Sequence, residues 1–200
     1  MQNKPWDAQL AAWFVKPFIF SKVVQPNHFT LLRLATGIVG CWLFAFTEQM
    51  NAAAILIVLS NFIDHMDGEL ARLGNKATRF GHLFDLISDG IVTVLMFLSI
   101  GYGLSFGALT SNFIGGAFAG FSVAFIFHFR YLIENKTGKV GTQQPRWRGF
   151  EAEDILYLLP LVTLSDNLQL FLHSAAIGAP IGAIIVYKQY RNLSRTGEKL

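Results

Sequence analysis

Apolar runs separated by short polar breaks dominate the chain, at roughly 29–47, 51–72, 80–101, 107–130, 152–165 and 168–188, and they predict six membrane-crossing helices. The fifth run is short and is interrupted by Pro160. Residues 91–129 contain no Asp, Glu, Lys or Arg, which is enough chain for two passes joined by a turn. Ahead of these runs, Trp6–Lys16 mixes Leu10, Trp13 and Phe14 with Asp7, Gln9 and Lys16. That mixture predicts an amphipathic helix, lying in the membrane interface or packed on the bundle, with Pro17 ending or kinking it. The expected fold is all-α: a polytopic membrane bundle of six transmembrane helices preceded by an N-terminal amphipathic interfacial helix. A single domain over 1–200 divides into a juxtamembrane segment at 1–24, a six-helix core at 25–190 and a cytoplasmic tail at 191–200.

Composition agrees with the pattern. The 200 residues are 52% hydrophobic and 14% charged, whereas soluble domains carry about 25% charged residues. Cys41 is the single cysteine, so neither an internal disulfide nor a Cys/His metal cluster is expected. The start of the chain, with Lys4, Pro5 and Asp7 ahead of any apolar core, does not read as a secretory signal.

Charge adds orientation. With six passes, the N-terminus, the 72–80 loop, the 130–151 loop and the C-terminal tail share one side, and all 16 Lys and Arg fall in or beside those segments. The opposite loops carry only Glu48 and Asp166. The positive-inside rule then places both termini in the cytoplasm, in the inner membrane if the source is bacterial. The net charge of +3 is concentrated on that face, where it attracts anionic lipid and nucleotide. Nothing resembles a basic reading helix, so no nucleic-acid partner is expected.

One stretch does not fit a purely structural bundle. It reads Asp64-x-x-Asp67-Gly68-x-x-Ala71-Arg72, then eight residues, then Gly81-x-x-x-Asp85-x-x-x-Asp89. Asp64 and Asp67 share a face of the second helix, and Gly81, Asp85 and Asp89 share a face of the third. The connecting loop is short, so the helices are antiparallel neighbours and the two carboxylate pairs meet. Four adjacent carboxylates cannot all ionise without cations, and oxygen ligands suit Mg²⁺ or Mn²⁺. Two such ions, about 3.5–4 Å apart, clamp a diphosphate and stabilise in-line displacement. Arg72 is placed to meet a phosphate oxygen. Thr78 can cap the third helix or contact a phosphate. His65 and His82 flank the stripe and suit supporting roles better than metal ligation.

The full run resembles the signature of the CDP-alcohol phosphotransferase family at every fixed position. A second match, Pro26-Asn27-x-x-Thr30-x-x-Arg33, is similar to the segment that opens the first membrane helix in that family. The resemblance implies transfer of a phosphoalcohol, most readily a phosphatidyl group, from a CDP-alcohol such as CDP-diacylglycerol to an acceptor hydroxyl. CMP is released, as in phospholipid biosynthesis. It implies metal ligation by Asp64, Asp67 and Asp85, with Asp89 on the second metal and acting as general base. It implies CDP-alcohol binding at Gly68, Ala71, Arg72, Thr78 and Gly81, with Asn27 and Thr30 from the second match. Two divalent ions, a membrane-lipid substrate and a homodimer are also implied.

The direction of transfer stays open at this level, since a CDP-linked polar headgroup could instead pass to a lipid alcohol. Glu151 and Asp154 lie three apart at an apparent helix start. They either bind a hydroxylated or cationic acceptor or complement the helix dipole. Arg146 and Arg148 hold a phosphate or mark the cytoplasmic side. Two other classes compete. A membrane prenyltransferase also uses Asp-rich helices around a diphosphate, but it usually has more spans and an Asn-Asp-x-x-Asp run, whereas here two residues separate Asn61 from Asp64. A divalent-cation carrier would not need Gly68, Ala71 and Arg72 in register.

Overall fold

A computed structural model describes residues 5–106, 110–137 and 152–197. Among them every regular element is helical: α1 (Trp6–Val15), α2 (Pro26–Phe46), α3 (Met50–Leu73), α4 (Arg79–Gly103), α5 (Ser111–Thr137), α6 (Leu159–Leu164) and α7 (Leu168–Gly197), with 3-10 turns at Lys16–Phe18 and Ala152–Leu158. The helix ends follow local chemistry. Pro26 occupies the first turn of α2, where its missing N–H costs nothing. Thr78 caps α4, its Oγ1 accepting the Gly81 N–H at 2.9 Å.

Among the described residues, four helices are long and apolar enough to cross a membrane: α2, α4, α5 and Leu168–Ser194 of α7. α3 has 24 residues, but its second half carries the carboxylates. The fifth predicted span is a 3-10 stretch leading into a six-residue α6, with Pro160 in its first turn. Length and composition alone mark four candidate crossings among the described residues, two fewer than the apolar runs predict.

α2 lies between α3 and α4 and packs against both, and α5 lies between α4 and α7. Expected from their short loop to be direct neighbours, α3 and α4 are instead held apart by α2. Phe44, Ile57, Met96, Ile100, Leu159 and Leu172 are among the buried residues of the shared core. α2 approaches both of its neighbours closely at Gly37, where a Cβ would lie 2.8 Å from Val92 on α4 and 2.9 Å from Ser60 Oγ on α3. Ser60 Oγ donates to the Arg33 carbonyl at 2.8 Å, joining α2 to α3 just above the carboxylates. Large apolar side chains face outward along α2, α5 and α7, among them Leu31, Trp42, Phe118, Phe121, Ile177 and Ile181. That is how helices surrounded by lipid are built.

α1 packs on α3 through Ala8, Ala11 and Val15 while Trp13 and Phe14 stay exposed. Asp7 is 1% exposed, and its Oδ2 lies 2.9 Å from His65 Nε2 on α3. The Tyr157 hydroxyl donates to the same carboxylate at 3.3 Å. The N-terminal helix is thus pinned to the bundle by a buried polar contact.

Candidate active site

The site grows from the α3–α4 hairpin. Asp64 and Asp67 project from α3 and Asp85 from α4, and each offers an oxygen within 4.8 Å of the other two. This convergence fits a divalent cation. Metal–oxygen bonds of about 2.1 Å keep the ligand atoms of one ion within roughly 4.2 Å of each other, so oxygens spaced toward the 4.8 Å bound would draw in slightly around the ion. The donor set is all carboxylate, the chemistry that hard divalent ions prefer.

Asp89 stands one turn deeper and outside that triad. It is held by Arg33, whose Nη2 lies 2.7 Å from Asp89 Oδ1. The same guanidinium pairs with Asp64 through Nη1 and reaches Asp85 Oδ1 at 3.5 Å. Arg33 is 3% exposed, so one buried cation from α2 ties together carboxylates from α3 and α4. Its Nε has no hydrogen-bond partner among the described residues. A single guanidinium against four carboxylates leaves negative charge that divalent cations would balance.

Above the triad opens a polar cavity of about 280 Å³. Asn27, Thr30, Asp67, Gly68, Ala71, Arg72, Thr78, Gly81 and Asp85 all line it. The sequence-predicted donor-binding residues are therefore on one wall-to-wall surface with two of the metal-ligand candidates. Their local contacts differentiate them. Thr30 is buried and donates its hydroxyl to Asp67 Oδ2 at 2.7 Å, so it orients a carboxylate. Gly68 leaves the space that Arg72 fills, since a Cβ there would lie 3.3 Å from Arg72 Nη2. Arg72 is aimed by Glu69, whose Oε1 accepts from Nη2 at 2.9 Å. Gly81 lets α4 start against α2, because a Cβ would meet Asn27 Oδ1 at 2.9 Å. Glu151 and the side chain of Asp154 lie outside the described residues, as do Arg146 and Arg148.

Sequence reasoning assigned no chemistry to Arg33, Glu69 or Asp7. A lone arginine within an apolar helix was the available signal for the first, because such a charge must find partners. His65 takes a supporting contact to Asp7, and His82 lines the cavity with its ring 5.8 Å from that of Tyr131.

An all-helical membrane bundle with carboxylates converging under a cavity is the setting of metal-assisted phosphoryl chemistry. Comparison with known proteins makes the class specific: the profile of the CDP-alcohol phosphatidyltransferase family matches residues 23–186, and the chain belongs to that family. Prenyltransferase and cation-carrier readings are set aside by that membership.

Among curated relatives, the CDP-diacylglycerol–glycerol-3-phosphate 3-phosphatidyltransferase of Rickettsia typhi is 35% identical over 77 residues, 36% of this chain and 43% of that protein. The CDP-diacylglycerol–serine O-phosphatidyltransferase of Helicobacter pylori is 32% identical over 82 residues, covering 38% of this chain and 34% of that one. The CDP-diacylglycerol–inositol 3-phosphatidyltransferase of Candida albicans is 32% identical over 76 residues, 38% of this chain and 32% of that one. The matched stretch spans less than half the length of each of these relatives. The fold is shared with the crystal structure of Mycobacterium tuberculosis phosphatidylinositol phosphate synthase with CDP-DAG bound. That similarity has a TM-score of 0.68 at 17% identity and covers 92% of this chain and 93% of that one.

Proposed function

We propose that the chain is an integral membrane enzyme that moves a phosphatidyl group from CDP-diacylglycerol to the hydroxyl of an acceptor alcohol, releasing CMP. The observation that carries this reading is the convergence of Asp64, Asp67 and Asp85 beneath the cavity that also holds Gly68, Arg72 and Gly81. The donor is taken from the family and from the three relatives described above, whose names specify CDP-diacylglycerol.

Asp64, Asp67 and Asp85 would hold two Mg²⁺ or Mn²⁺ ions, to which Asp89 would contribute. When bound, these ions neutralise the diphosphate and stabilise charge on the reacting phosphorus. Thr30 keeps Asp67 turned toward the cavity, and Arg33 keeps the α3 and α4 carboxylates in one cluster. Arg72, steadied by Glu69, takes a phosphate oxygen, while Asn27, Ala71, Thr78 and Gly81 shape the nucleotide pocket. Asp89 accepts the proton of the acceptor hydroxyl. The acceptor oxygen bonds to the phosphorus that carries diacylglycerol, and the bond from that phosphorus to the CMP oxygen breaks. Positioning and charge neutralisation supply most of the acceleration. Glu151 and Asp154 are proposed for the acceptor on sequence grounds.

The accompanying topology has six crossings, with α3 and the 152–164 segment joining the four longer helices. Both termini and the cavity mouth face the cytoplasm, α1 lies at the interface, and two chains form a homodimer. The reading is tested by incubating purified protein with Mn²⁺, CDP-diacylglycerol and a panel of alcohols. Acceptor-dependent CMP is expected; transfer from CDP-linked headgroups to diacylglycerol instead would reverse the direction, and release of pyrophosphate would overturn the class.

A further inference from the structure

A lysine beside a diphosphate pocket ordinarily reads as a phosphate ligand. Lys76 lines the cavity, in the short α3–α4 loop. Its ammonium, however, is already engaged. Nζ donates to the carbonyls of Phe18 at 3.1 Å, Ser21 at 2.6 Å and Val24 at 2.9 Å. An ammonium has three N–H donors and no more, so these carbonyls use all of them.

The local sequence is arranged for this grip. α3 ends at Gly74, Asn75 adopts a left-handed φ of 51°, and the Lys76 N–H returns to the Ala71 carbonyl at 2.9 Å. The Lys76 stem then folds back over the end of α3. A Cβ on Gly74 would lie 2.8 Å from the Leu70 carbonyl oxygen and 3.2 Å from both Lys76 Cδ and Cε, so the glycine leaves room for the end of α3 and for the lysine stem together.

What the grip holds is the segment between the 3-10 turn and α2. That segment buries little: Phe20 is 94% and Val23 80% exposed. It leads directly into Pro26, Asn27 and Thr30, while Lys76 leads into Thr78 and Gly81, and all five line the cavity. The two lining segments come from parts of the chain more than fifty residues apart, and Lys76 bridges them.

We infer that Lys76 is a positioning residue that ties together the two segments lining the donor pocket through three backbone carbonyls and does not itself bind the diphosphate. The functional half of this inference rests on reading the cavity as the CDP-alcohol site. The clasp itself does not.

The test uses the full-length protein in nanodiscs with Lys76→Met, Lys76→Arg and Gly74→Ala. Hydrogen exchange without ligand reads the clasp, and steady-state kinetics with CDP-diacylglycerol reads the pocket. Amide exchange at Ile19, Ser21 and Val24 is expected to accelerate about tenfold or more in Lys76→Met and Lys76→Arg, because a planar guanidinium does not reproduce three ammonium contacts. The donor KM is expected to rise about tenfold in both, with kcat changed less than about threefold. Gly74→Ala, which keeps the charge but obstructs the stem, is expected to shift both readouts the same way. It carries the test if either lysine variant fails to fold.

Unchanged exchange in the folded variants would overturn the clasp. Restoration of KM by Lys76→Arg, with exchange unchanged, would make Lys76 a phosphate ligand. Accelerated exchange in a protein that releases no CMP in any form, wild type included, would overturn the donor reading and leave the clasp standing.

Discussion

Where α2, α3 and α4 meet, the groups in contact are a guanidinium, carboxylates and hydroxyls: Arg33, Asp64, Asp67, Asp85, Asp89, Thr30 and Ser60. Where α5 meets α7, they are small residues and aromatic rings. Gly115 faces Ala176, Gly182 faces Ile126, and Phe129 lies 5.3 Å from Tyr187 and 5.1 Å from Tyr190. α2 and α4 of the first region are about as apolar as α5 and α7, while α3 carries the polar load.

The difference separates two ways of holding helices together. In α5 and α7, close packing supplies the attraction, and each contact is replaceable by another of similar shape. Around Arg33, every polar group depends on another that cannot be exchanged, because an unpaired charge at that depth is expensive. The first region therefore resists substitution for chemical reasons and the second tolerates it.

The contrast is broken or sharpened by substitutions on each side. The largest effect is expected at Asp67, a buried member of the converging triad. Asp67→Asn is expected to lower Mn²⁺ affinity and CMP release by at least about 10²-fold, since loss of an outer-sphere partner alone costs 10–100-fold. Calorimetric Mn²⁺ titration beside the activity assay checks it.

Next comes Arg33→Gln, which leaves carboxylates without their cation. A destabilisation of about 3–5 kcal/mol is expected in metal-free protein, with more of it recovered on adding Mn²⁺ than in wild type. Thermal unfolding in detergent, with chelator and with metal, reads both. Equal metal-induced shifts in the two proteins would contradict the counterion role.

Thr30→Val removes the hydroxyl that orients Asp67 while keeping the shape. Its expected cost is about 10–100-fold in Mn²⁺ affinity with little change in unfolding temperature. Phe129→Leu on the α5–α7 side is the mildest, with a cost below about 1.5 kcal/mol and unchanged CMP release. A loss of activity from Phe129→Leu matching that of Thr30→Val would erase the distinction between the two regions.

The sequence makes the acidic side of this contrast legible and hides the basic side. Asp64, Asp67, Asp85 and Asp89 repeat at helical intervals across one short loop, so pattern alone brings them together. Arg33 reaches them across 31 and more residues from another helix, and helix spacing says nothing about that crossing. Lys76 is similar, since its partners are backbone carbonyls that no residue type announces. Thr78 was open between a cap and a ligand, and its bond with the Gly81 N–H shows the cap.

Among the elements, five of the six apolar runs fold as long helices because apolar length and helix length coincide there. The 152–165 run does not, because Pro160 and the preceding residues tighten into a 3-10 turn before a short α6. The triad's geometry, within 4.8 Å, also needed the structure, as i,i+3 and i,i+4 spacing places residues on a face without setting distances between helices.

The central claim is that carboxylates from α3 and α4 jointly hold the metals that drive phosphatidyl transfer. Acceptor-dependent CMP release from CDP-diacylglycerol, measured in parallel for wild type and Asp85→Asn with Mn²⁺ and with chelator, tests it most directly. The account predicts release by wild type with Mn²⁺ only, and none above background for Asp85→Asn. Full release by Asp85→Asn, or by wild type in chelator, would contradict it.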